Sequence, residues 1–172
     1  MAQRQAKASK LAQLAQRRDS LASMQPRRIT KADFDQVVEV IDHWWGGPIS
    51  TFAHPIFFYE LGDKGLIIEE QSQMIGFLLG FVAHEPVLTG YVHLVGIHTD
   101  FRRRGVGRML YEVFTDTCRK ADCVRMKAIT TLGNDGSKAF HLALGWDARE
   151  VEDYAGPGRK RVVFTKDLAR GV

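Results

Sequence analysis

Residues 100–110 (DFRRRGVGRML) contain three consecutive arginines followed by two closely spaced glycines, residue types that can bind an anion. At the start of a helix the first backbone N–H groups have no partner within the helix, and the helix dipole adds positive potential there. Glycines let a ligand approach the backbone closely, and arginine guanidinium groups fit phosphate oxygens. The stretch therefore predicts a phosphate-binding loop at a helix start or, as the alternative, an ordinary strand-to-helix turn with exposed arginines.

A second stretch, residues 134–146 (NDGSKAFHLALGW), also places polar groups at the start of a helix. Asn134 or Asp135 can cap a helix whose apolar residues recur at helical spacing, and Gly145 predicts its end. The arginine and glycine loop alone does not identify a nucleotide, because a dinucleotide fingerprint needs glycine where Leu110 stands and a P-loop needs Gly-Lys-Ser/Thr. A ligand must therefore be inferred from both stretches together.

Hydrophobic periodicity predicts the elements that would hold these two stretches. Three strand-like runs, GLIIEE, QMIGFLLGFVAHE and GYVHLVGIHTD, are separated by turn-like residues and predict an antiparallel meander. A helix capped by Thr30 precedes them, and a helix of about four turns begins at or just after Gly107. Further strands are predicted in CVRMKAITT, WDAREVED and KRVVFTKDL. This order predicts an α+β domain with a right-handed strand-helix-strand crossover at its centre.

Taken together, the two stretches resemble the acetyl-CoA site of the GCN5-related N-acetyltransferase (GNAT) family. The signature Arg/Gln-x-x-Gly-x-Gly/Ala corresponds to Arg102, Gly105 and Gly107, and Asn-x-x-Ser/Ala-x-x-Phe/Leu-Tyr-x-x-Leu-Gly-Phe corresponds to residues 134–146. The resemblance implies the GNAT-type acyl-CoA N-acyltransferase fold, a mixed, mostly antiparallel sheet of about 6–7 strands with a central splay and about four helices. We expect this domain to span 28–172, after a basic helical or disordered N-terminal extension at 1–27.

The resemblance also implies where acetyl-CoA, the co-substrate, would bind. The strand segment whose backbone hydrogen-bonds the pantetheine arm, a form of strand addition to an exposed sheet edge, matches Val95, Gly96 and Ile97. A glycine inside a strand often marks a bulge or a close approach to the backbone, which suits Gly96. The pyrophosphate loop matches Arg102, Arg103, Arg104, Gly105, Val106, Gly107 and Arg108. Asn134 and Ser137 match positions that contact the cofactor arm from the opposite side.

Position 141 departs from the family pattern. In many relatives a tyrosine there protonates the departing CoA sulfur, whereas this chain has His141. A thiol leaving group has a pKa of about 8.5, so an acid helps only modestly. Histidine titrates at about 6.5 and can donate or relay a proton at neutral pH. His141 is therefore a candidate acid, and the alternative is a histidine that packs beside the cofactor without proton transfer.

The general base is not identified by the sequence. His93 and His98 bracket the predicted pantetheine strand, and strand alternation places them on opposite faces unless a bulge intervenes. On this prediction His93 shares its face with Tyr91, Val95 and Ile97. Other candidates lie near the last hairpin, at Glu152, Asp153 and Tyr154, and a water chain could replace any of them. The predicted catalytic residues are His141, Tyr154 and His93.

The acceptor side is indicated by composition alone. Residues 43–60 (HWWGGPISTFAHPIFFYE) are rich in aromatic side chains. In the GNAT family this segment borders the acceptor cleft, where such rings could stack on an amine or form an apolar wall. We expect acceptor contacts from Trp44, Trp45 and Phe58, with Tyr154 closing the cleft from the other side. Packing of the rings in the core is the alternative.

Charge is distributed unevenly along the chain, whose formal net charge is +4. Residues 1–28 hold seven basic and one acidic residue, whereas residues 29–172 hold 17 basic and 19 acidic residues. The predicted domain is therefore not basic, and we expect no nucleic-acid partner. Cys118 and Cys123 lack a second Cys or His pair at zinc spacing, so no metal site is expected. No apolar run approaches the ~20 residues that span a bilayer, so no membrane partner is expected.

These observations predict an acetyl-CoA-dependent N-acetyltransferase that transfers acetyl directly to a primary amine of a small molecule or of a protein N terminus or lysine. The alternative is a non-catalytic acyl-CoA-binding sensor module. A nucleic-acid binder using the arginine run is a second rival, which the charge balance of residues 29–172 disfavours. Reduced thiols and the lack of a secretory signal predict a cytoplasmic protein, and exposed sheet edges make a homodimer possible.

Overall fold

The structure, a computed structural model, describes residues 24–61 and 64–168. Its centre is a seven-stranded sheet with the order β1-β2-β3-β4-β5-β7-β6. The strands are β1 (Arg27–Arg28), β2 (Leu66–Glu70), β3 (Gln73–Ala83), β4 (Thr89–Ile97), β5 (Arg125–Thr130), β6 (Asp147–Val151) and β7 (Arg161–Asp167). Within this sheet β4 and β5 pair in parallel, and the other neighbours pair antiparallel. The predicted mixed, mostly antiparallel α+β sheet is confirmed.

Four α-helices flank the sheet in the described part of the chain: α1 (Lys31–Trp45), α2 (Ile56–Tyr59), α3 (Val106–Lys120) and α4 (Asp135–Ala143). The predicted cap of α1 is confirmed, because Thr30 and Asp33 form a reciprocal capping box. Gly46 ends α1 in the left-handed conformation. Two 3₁₀ turns, Ser50–Phe52 and Thr99–Phe101, follow α1 and β4. The sheet is thus covered by helices that the sequence periodicity largely predicts.

Apolar residues form a core on each face of the sheet. On one face α3 packs Leu110 and Phe114 against Met126 and Phe164. On the other face α1 packs Val37 and Ile41, with Phe77 and Leu94 contributed by β3 and β4. Each fully buried Leu, Ile or Phe stabilises the fold by about 1.5–3 kcal/mol. None of the helices in the described ranges is long and apolar enough to cross a membrane.

The central strands β4 and β5 diverge. Their pairing covers Thr89–Val92 and Arg125–Ala128, whereas β4 continues to pair with β3 as far as Ile97. The edge of β4 that faces β5 is therefore free from His93 onward. This gap is the predicted central splay.

A β-bulge lies where the gap opens. Leu79 of β3 faces Leu94, and the next residue, Gly80, faces Val92, so His93 is the extra residue of β4. A bulge of this kind changes which face the following side chains occupy. The bulge therefore determines which face of the sheet each β4 side chain beyond His93 occupies.

The predicted N-terminal extension, residues 1–27, lies for the most part outside the described residues. Its last four residues belong to the packed structure. Met24 is buried in the α3-side core, and Arg27 pairs with Ile67 of β2. Arg27 also forms ion pairs with Asp33 at 2.7 Å and Glu69 at 3.1 Å. These contacts join residues 24–27 to the sheet.

Candidate active site

The free edge of β4 presents backbone groups to the gap. His98 N–H donates to the carbonyl of Ile75 in β3 at 2.9 Å. Because successive residues of a strand direct their N–H and C=O groups to opposite sides, those of Val95 and Ile97 point away from β3 and into the gap. The side chains of Val95 and Ile97 pack against the α3-side core. The gap is thus lined by main-chain donors and acceptors, as strand addition by a ligand requires.

Gly96 is a glycine for a packing reason. A Cβ at this position would overlap the ring of Phe77 in the α1-side core. The close approach that the sequence predicted at Gly96 is therefore made by the ring of Phe77. The absence of a Cβ at Gly96 lets β4 pack closely on the α1-side core.

The start of α3 has unpaired amides. Its N-cap is Gly105, which has a φ of 88° and provides no side-chain hydrogen bond. The first backbone bond of the helix runs from Met109 N–H to Gly105 O at 3.0 Å. Within residues 24–61 and 64–168, no acceptor is found for the N–H groups of Val106, Gly107 and Arg108. These amides, together with the helix dipole, form an anion-binding position.

The four arginines around this helix start have different surroundings. Arg102 donates from Nε to Ile97 O at 3.3 Å and from Nη2 to Trp44 O at 2.5 Å, so its guanidinium joins the loop to β4 and α1. The guanidinium of Arg104 lies 4.6 Å from the ring centroid of Phe101. Arg103, Arg104 and Arg108 are exposed, and no carboxylate of the described residues pairs with them. These three remain available to an anion, whereas Arg102 positions the loop.

The other residues of the two motifs organise the helices. A Cβ at Gly107 would lie 3.1 Å from the ring of Phe140, so this glycine lets α3 pack against α4. Asn134 accepts from Ser137 N–H at 3.1 Å and donates to Thr130 Oγ1 at 3.0 Å. Asn134 is therefore the cap of α4, as predicted, and its polar atoms already have partners.

His141 lies in the core. It is 4% exposed, and its ring stacks on Phe164 at 4.0 Å between centroids. Its Nδ1–H donates to Ser137 O at 2.8 Å, and its Nε2 accepts from the Tyr111 hydroxyl at 2.9 Å. Burial lowers the pKa of His141, which favours the neutral ring that these two bonds require. Tyr111 was not singled out by the sequence, because its contact with His141 depends on how α3 packs on α4.

His93 has a defined tautomer and a free nitrogen. Its Nε2 lies 2.9 Å from the carbonyl oxygen of Phe52, which can only accept, so Nε2 carries the proton. Its ring stacks on Phe57 at 4.0 Å and 13°. Burial lowers the pKa of His93 and so favours the neutral form. In the described part of the chain Nδ1 has no hydrogen-bond partner, which leaves its lone pair available as a base.

The face predicted for His93 is wrong in part. Val95 and Ile97 pack on the α3 side, whereas His93 stacks on Phe57 and lies on the α1 side, because the bulge shifts the alternation by one residue. His98 also faces the α1 side, with its ring 5.5 Å from that of Trp44. The two histidines therefore share a face, which strict alternation excludes.

Tyr154, Tyr91 and Lys127 meet beside His93. Tyr91 of β4 is in register with Lys127 of β5, and Lys127 Nζ lies 5.0 Å from the centroid of the Tyr154 ring. Burial, together with the nearby Tyr154, raises the pKa of Tyr91 to about 12. Tyr91 therefore stays protonated at neutral pH and does not act as a base. Tyr154 does lie over the β4–β5 junction, and Tyr91 and Lys127 are additional residues of this site.

The remaining base candidates stabilise the loop between β6 and β7. Asp153 accepts from Gly158 N–H at 2.7 Å, and Glu152 forms an ion pair with Lys160. Both carboxylates are thus engaged within the loop that carries Tyr154.

The aromatic residues of 43–60 divide between core and site. Trp44 is 5% exposed and stacks on Phe77, so the structure does not support its predicted contact with an acceptor. It continues the buried stripe of α1. Phe58 packs against Phe34 at 5.8 Å, whereas its neighbour Phe57 carries the contact with His93. Trp45 is 44% exposed.

Cys118 and Cys123 are both buried and unbridged. Across residues 24–61 and 64–168 no group of three or more His, Cys, Asp or Glu side chains is arranged to hold a metal ion.

A family model described as the acetyltransferase (GNAT) family matches residues 34–146. The match covers more than half of the chain and includes most of α1, the splayed strands, the arginine and glycine loop and the α4 motif. The chain therefore belongs to the GNAT acetyltransferase family.

Three solved structures illustrate the similarity of fold. The ribosomal-protein-S18-alanine N-acetyltransferase from Escherichia coli superposes with a TM-score of 0.68 at 15% identity, covering 87% of this chain and 96% of its own. Naa20 from Chaetomium thermophilum, solved with a bisubstrate analogue, has a TM-score of 0.70 at 20% identity, with coverages of 85% and 87%. The protein yncA from Salmonella typhimurium, solved with its cofactor acetyl-CoA, has a TM-score of 0.63 at 17% identity, with coverages of 87% and 96%. They confirm the predicted GNAT fold.

Proposed function

We propose that this protein is an N-acetyltransferase that uses acetyl-CoA and transfers the acetyl group directly to a primary amine. One observation carries the proposal: the free edge of β4 connects an anion-binding helix start to a neutral histidine. Ile97 Cδ1 lies 3.9 Å from the Cβ position of Gly107, so the edge ends at α3. From Ile97 back to His93 the strand spans four residue steps, about 13 Å.

Residues of the gap and of the loop fit the two halves of acetyl-CoA. The unpaired amides of Val106, Gly107 and Arg108 suit its diphosphate, with the exposed Arg103 and Arg104 adding charge. The backbone groups of Val95 and Ile97 suit the amides of the pantetheine arm. When bound there, acetyl-CoA supplies an activated acetyl thioester. The same main-chain N–H groups can stabilise negative charge on the carbonyl oxygen during transfer.

His93 is proposed to accept the proton of the attacking amine. Its Nε2–H is held by Phe52 O and its ring by Phe57, so Nδ1 has a fixed direction. Burial keeps the ring neutral and ready to take a proton, directly or through one water. The thiol leaving group has a pKa of about 8.5, so it can depart with little help from an acid.

His141 is proposed to position α4 rather than to protonate the leaving thiolate. Its only N–H is bonded to Ser137 O, and its Nε2 accepts from Tyr111. A neutral ring with both nitrogens bonded in the core has no proton to give. These contacts support the second of the two roles that the sequence left open for His141.

Amine-dependent release of CoA thiol tests this proposal. Purified full-length protein is given acetyl-CoA with a panel of small amines and short peptides, and products are identified by mass spectrometry. We expect thiol release that depends on the amine and matches the acetylated product one to one. A sensor module would instead bind acetyl-CoA without any amine-dependent release, and that result would contradict the proposal.

A further inference from the structure

Lys127 is a half-buried cation on the acceptor side of the sheet. Its neighbours along β5, Met126 and Ala128, belong to the α3-side core, so Lys127 points to the opposite face. Its cross-strand neighbours are Tyr91 of β4 and Thr165 of β7, and neither is charged. No carboxylate of the described residues pairs with it.

The other half-buried lysines of the described residues have partners. Lys160 forms ion pairs with Glu150 and Glu152, and Lys166 donates to the carbonyl of Leu144 at 2.7 Å. Among residues 24–61 and 64–168, Lys127 has only the face of the Tyr154 ring, at 5.0 Å. An ammonium group that is partly removed from water without a counter-charge is unfavourable. Such a group in a cleft is well suited to an anionic ligand.

Lys127 lies close to His93, the proposed base for the reacting amine. His93 lies two residues beyond Tyr91 on β4, and both face the α1 side. With strands about 4.8 Å apart and about 3.3 Å per residue, the backbones of Lys127 and His93 are separated by about 8 Å. An acceptor whose amine reaches His93 and that extends toward β5 therefore places its next few atoms beside Lys127.

We propose that Lys127 determines acceptor specificity by binding a carboxylate located close to the reacting amine. This inference rests on the proposed acetyltransferase function and names its substrate class: primary amines with a nearby acidic group. A free acidic amino acid or a peptide with an acidic residue after its N terminus has this chemistry. The ammonium of Lys127 also disfavours the protonated amine, which leaves more of the neutral nucleophile, and it repels polycationic acceptors.

Matched acceptor pairs that differ only in charge test the proposal. The probes are glutamate against glutamine, tetrapeptides beginning Ala-Glu against Ala-Gln, and spermidine as a cationic acceptor. Each is assayed with full-length wild type, Lys127→Gln and Lys127→Glu. Lys120→Gln is the control, since it removes the same charge from the exposed end of α3. The pair that shows a preference distinguishes a free amino acid from a peptide as the source of the carboxylate.

We expect wild type and Lys120→Gln to favour the acidic member of a pair by about tenfold in kcat/KM, the effect of one charge-assisted hydrogen bond. Lys127→Gln should abolish this preference, and Lys127→Glu should reverse it toward spermidine, while KM for acetyl-CoA stays unchanged in all variants. The inference is overturned if turnover does not depend on the charge of the acceptor, or if Lys127→Glu has the same preference as wild type. Either result leaves the proposed function intact.

A binding measurement separates failure of this inference from failure of the proposed function. The same pairs are titrated by calorimetry into CoA-saturated protein. If no probe is acetylated, the proposed function fails. The acceptor specificity then fails with it, and the carboxylate contact of Lys127 is tested by binding alone: that contact stands if the acidic member binds about tenfold more tightly to wild type than to Lys127→Glu. It fails if the members of every pair bind alike or do not bind.

Discussion

The tautomer and the ring orientation of His93 are set by one backbone carbonyl. The bond from Nε2 to Phe52 O fixes both the tautomer and the ring orientation, and the stack on Phe57 excludes water from one side of the ring. A histidine without this bond would exchange tautomers and present either nitrogen to the cleft. The loop after α1 would therefore act on the proposed reaction through a residue of β4.

Replacement of His93 by alanine should lower kcat by about 10²-fold, the usual contribution of a general base. KM for acetyl-CoA should stay unchanged, since His93 lies at the far end of the gap from α3. Because burial lowers the pKa of His93, the wild-type kcat profile should lose activity only at a pH below about 6.5, and the variant should lack this ionisation. Steady-state kinetics between pH 5 and pH 9 measures both effects.

The control for His93 is His84→Ala, an exposed histidine directly after β3. We expect His84→Ala to retain wild-type kcat and pH profile. Equal loss of kcat in the two variants, or a wild-type ionisation that persists in His93→Ala, would exclude His93 as the base.

His141 should affect stability more than catalysis. In His141→Phe the hydroxyl of Tyr111 and the carbonyl of Ser137 lose their partner, which should cost about 1–3 kcal/mol of the free energy of unfolding. Chemical denaturation at pH 7.5 measures this loss. The kcat of His141→Phe should fall less than that of His93→Ala, and the reverse order would restore His141 as the acid.

The low pKa of His141 predicts how stability depends on pH. Since the folded pKa is depressed, the unfolded chain binds more protons below pH of about 6.5, so stability should fall as the pH falls from there to the folded pKa. His141→Phe should remove a slope of up to about 1.4 kcal/mol per pH unit that the wild type retains. Denaturation curves at pH 5.5, 6.5 and 7.5 test this, and an unchanged slope in His141→Phe would contradict it.

At the scale of elements, the helices were predictable because their signals are local. Thr30 and Asn134 mark two helix starts in the sequence, and the structure confirms both caps. The helix predicted to begin at or just after Gly107 is also present, but it begins at Val106, with Gly105 as its cap. The bulge at His93 was not predictable, because it depends on the register between β3 and β4. Its consequence, two histidines on one face, was missed for the same reason.

The aromatic segment shows a further limit of local signals. The apolar spacing of α1 from Phe34 to Ile41 extends three residues to Trp44, which is why Trp44 is buried. Composition alone could not separate Trp44 from Phe57, because the direction of Phe57 depends on the short helix α2 and on the 3₁₀ turn before it. Tyr91 and Lys127 lack a sequence signal altogether and are brought together by β4–β5 pairing.

The proposed anion site at the start of α3 can be tested by substituting two glycines that both have a left-handed backbone conformation. Gly105 and Gly145 have φ of 88° and 73°, and no atom lies within 4 Å of a Cβ at either. Replacement of either glycine by alanine should therefore lower the free energy of unfolding by about 1–2 kcal/mol, because the backbone there is strained for a residue with a Cβ. Only Gly105→Ala should also weaken acetyl-CoA binding, by about tenfold, because its Cβ hinders close approach to the amides. Equal affinities in the two variants would contradict the proposed anion site.

At the scale of the whole molecule, the sheet separates two functions. The α3 face and its helix start provide the proposed cofactor site, and the α1 face with the β6–β7 loop provides the proposed acceptor site. The gap between β4 and β5 is the point where both faces meet. The cytoplasmic location, the homodimer and the basic helical or disordered extension at 1–27 stay predictions from the sequence.

Calorimetric titration of full-length protein with acetyl-CoA tests the central claim most directly, with acetyl-pantetheine, which lacks the diphosphate, as the matched ligand. We expect one saturable site per chain for acetyl-CoA and an affinity at least about tenfold lower for acetyl-pantetheine, because the amides of α3 then have no anion to bind. Absence of heat with millimolar acetyl-CoA, or equal affinity for the two ligands, would contradict an acyl-CoA site built on the start of α3.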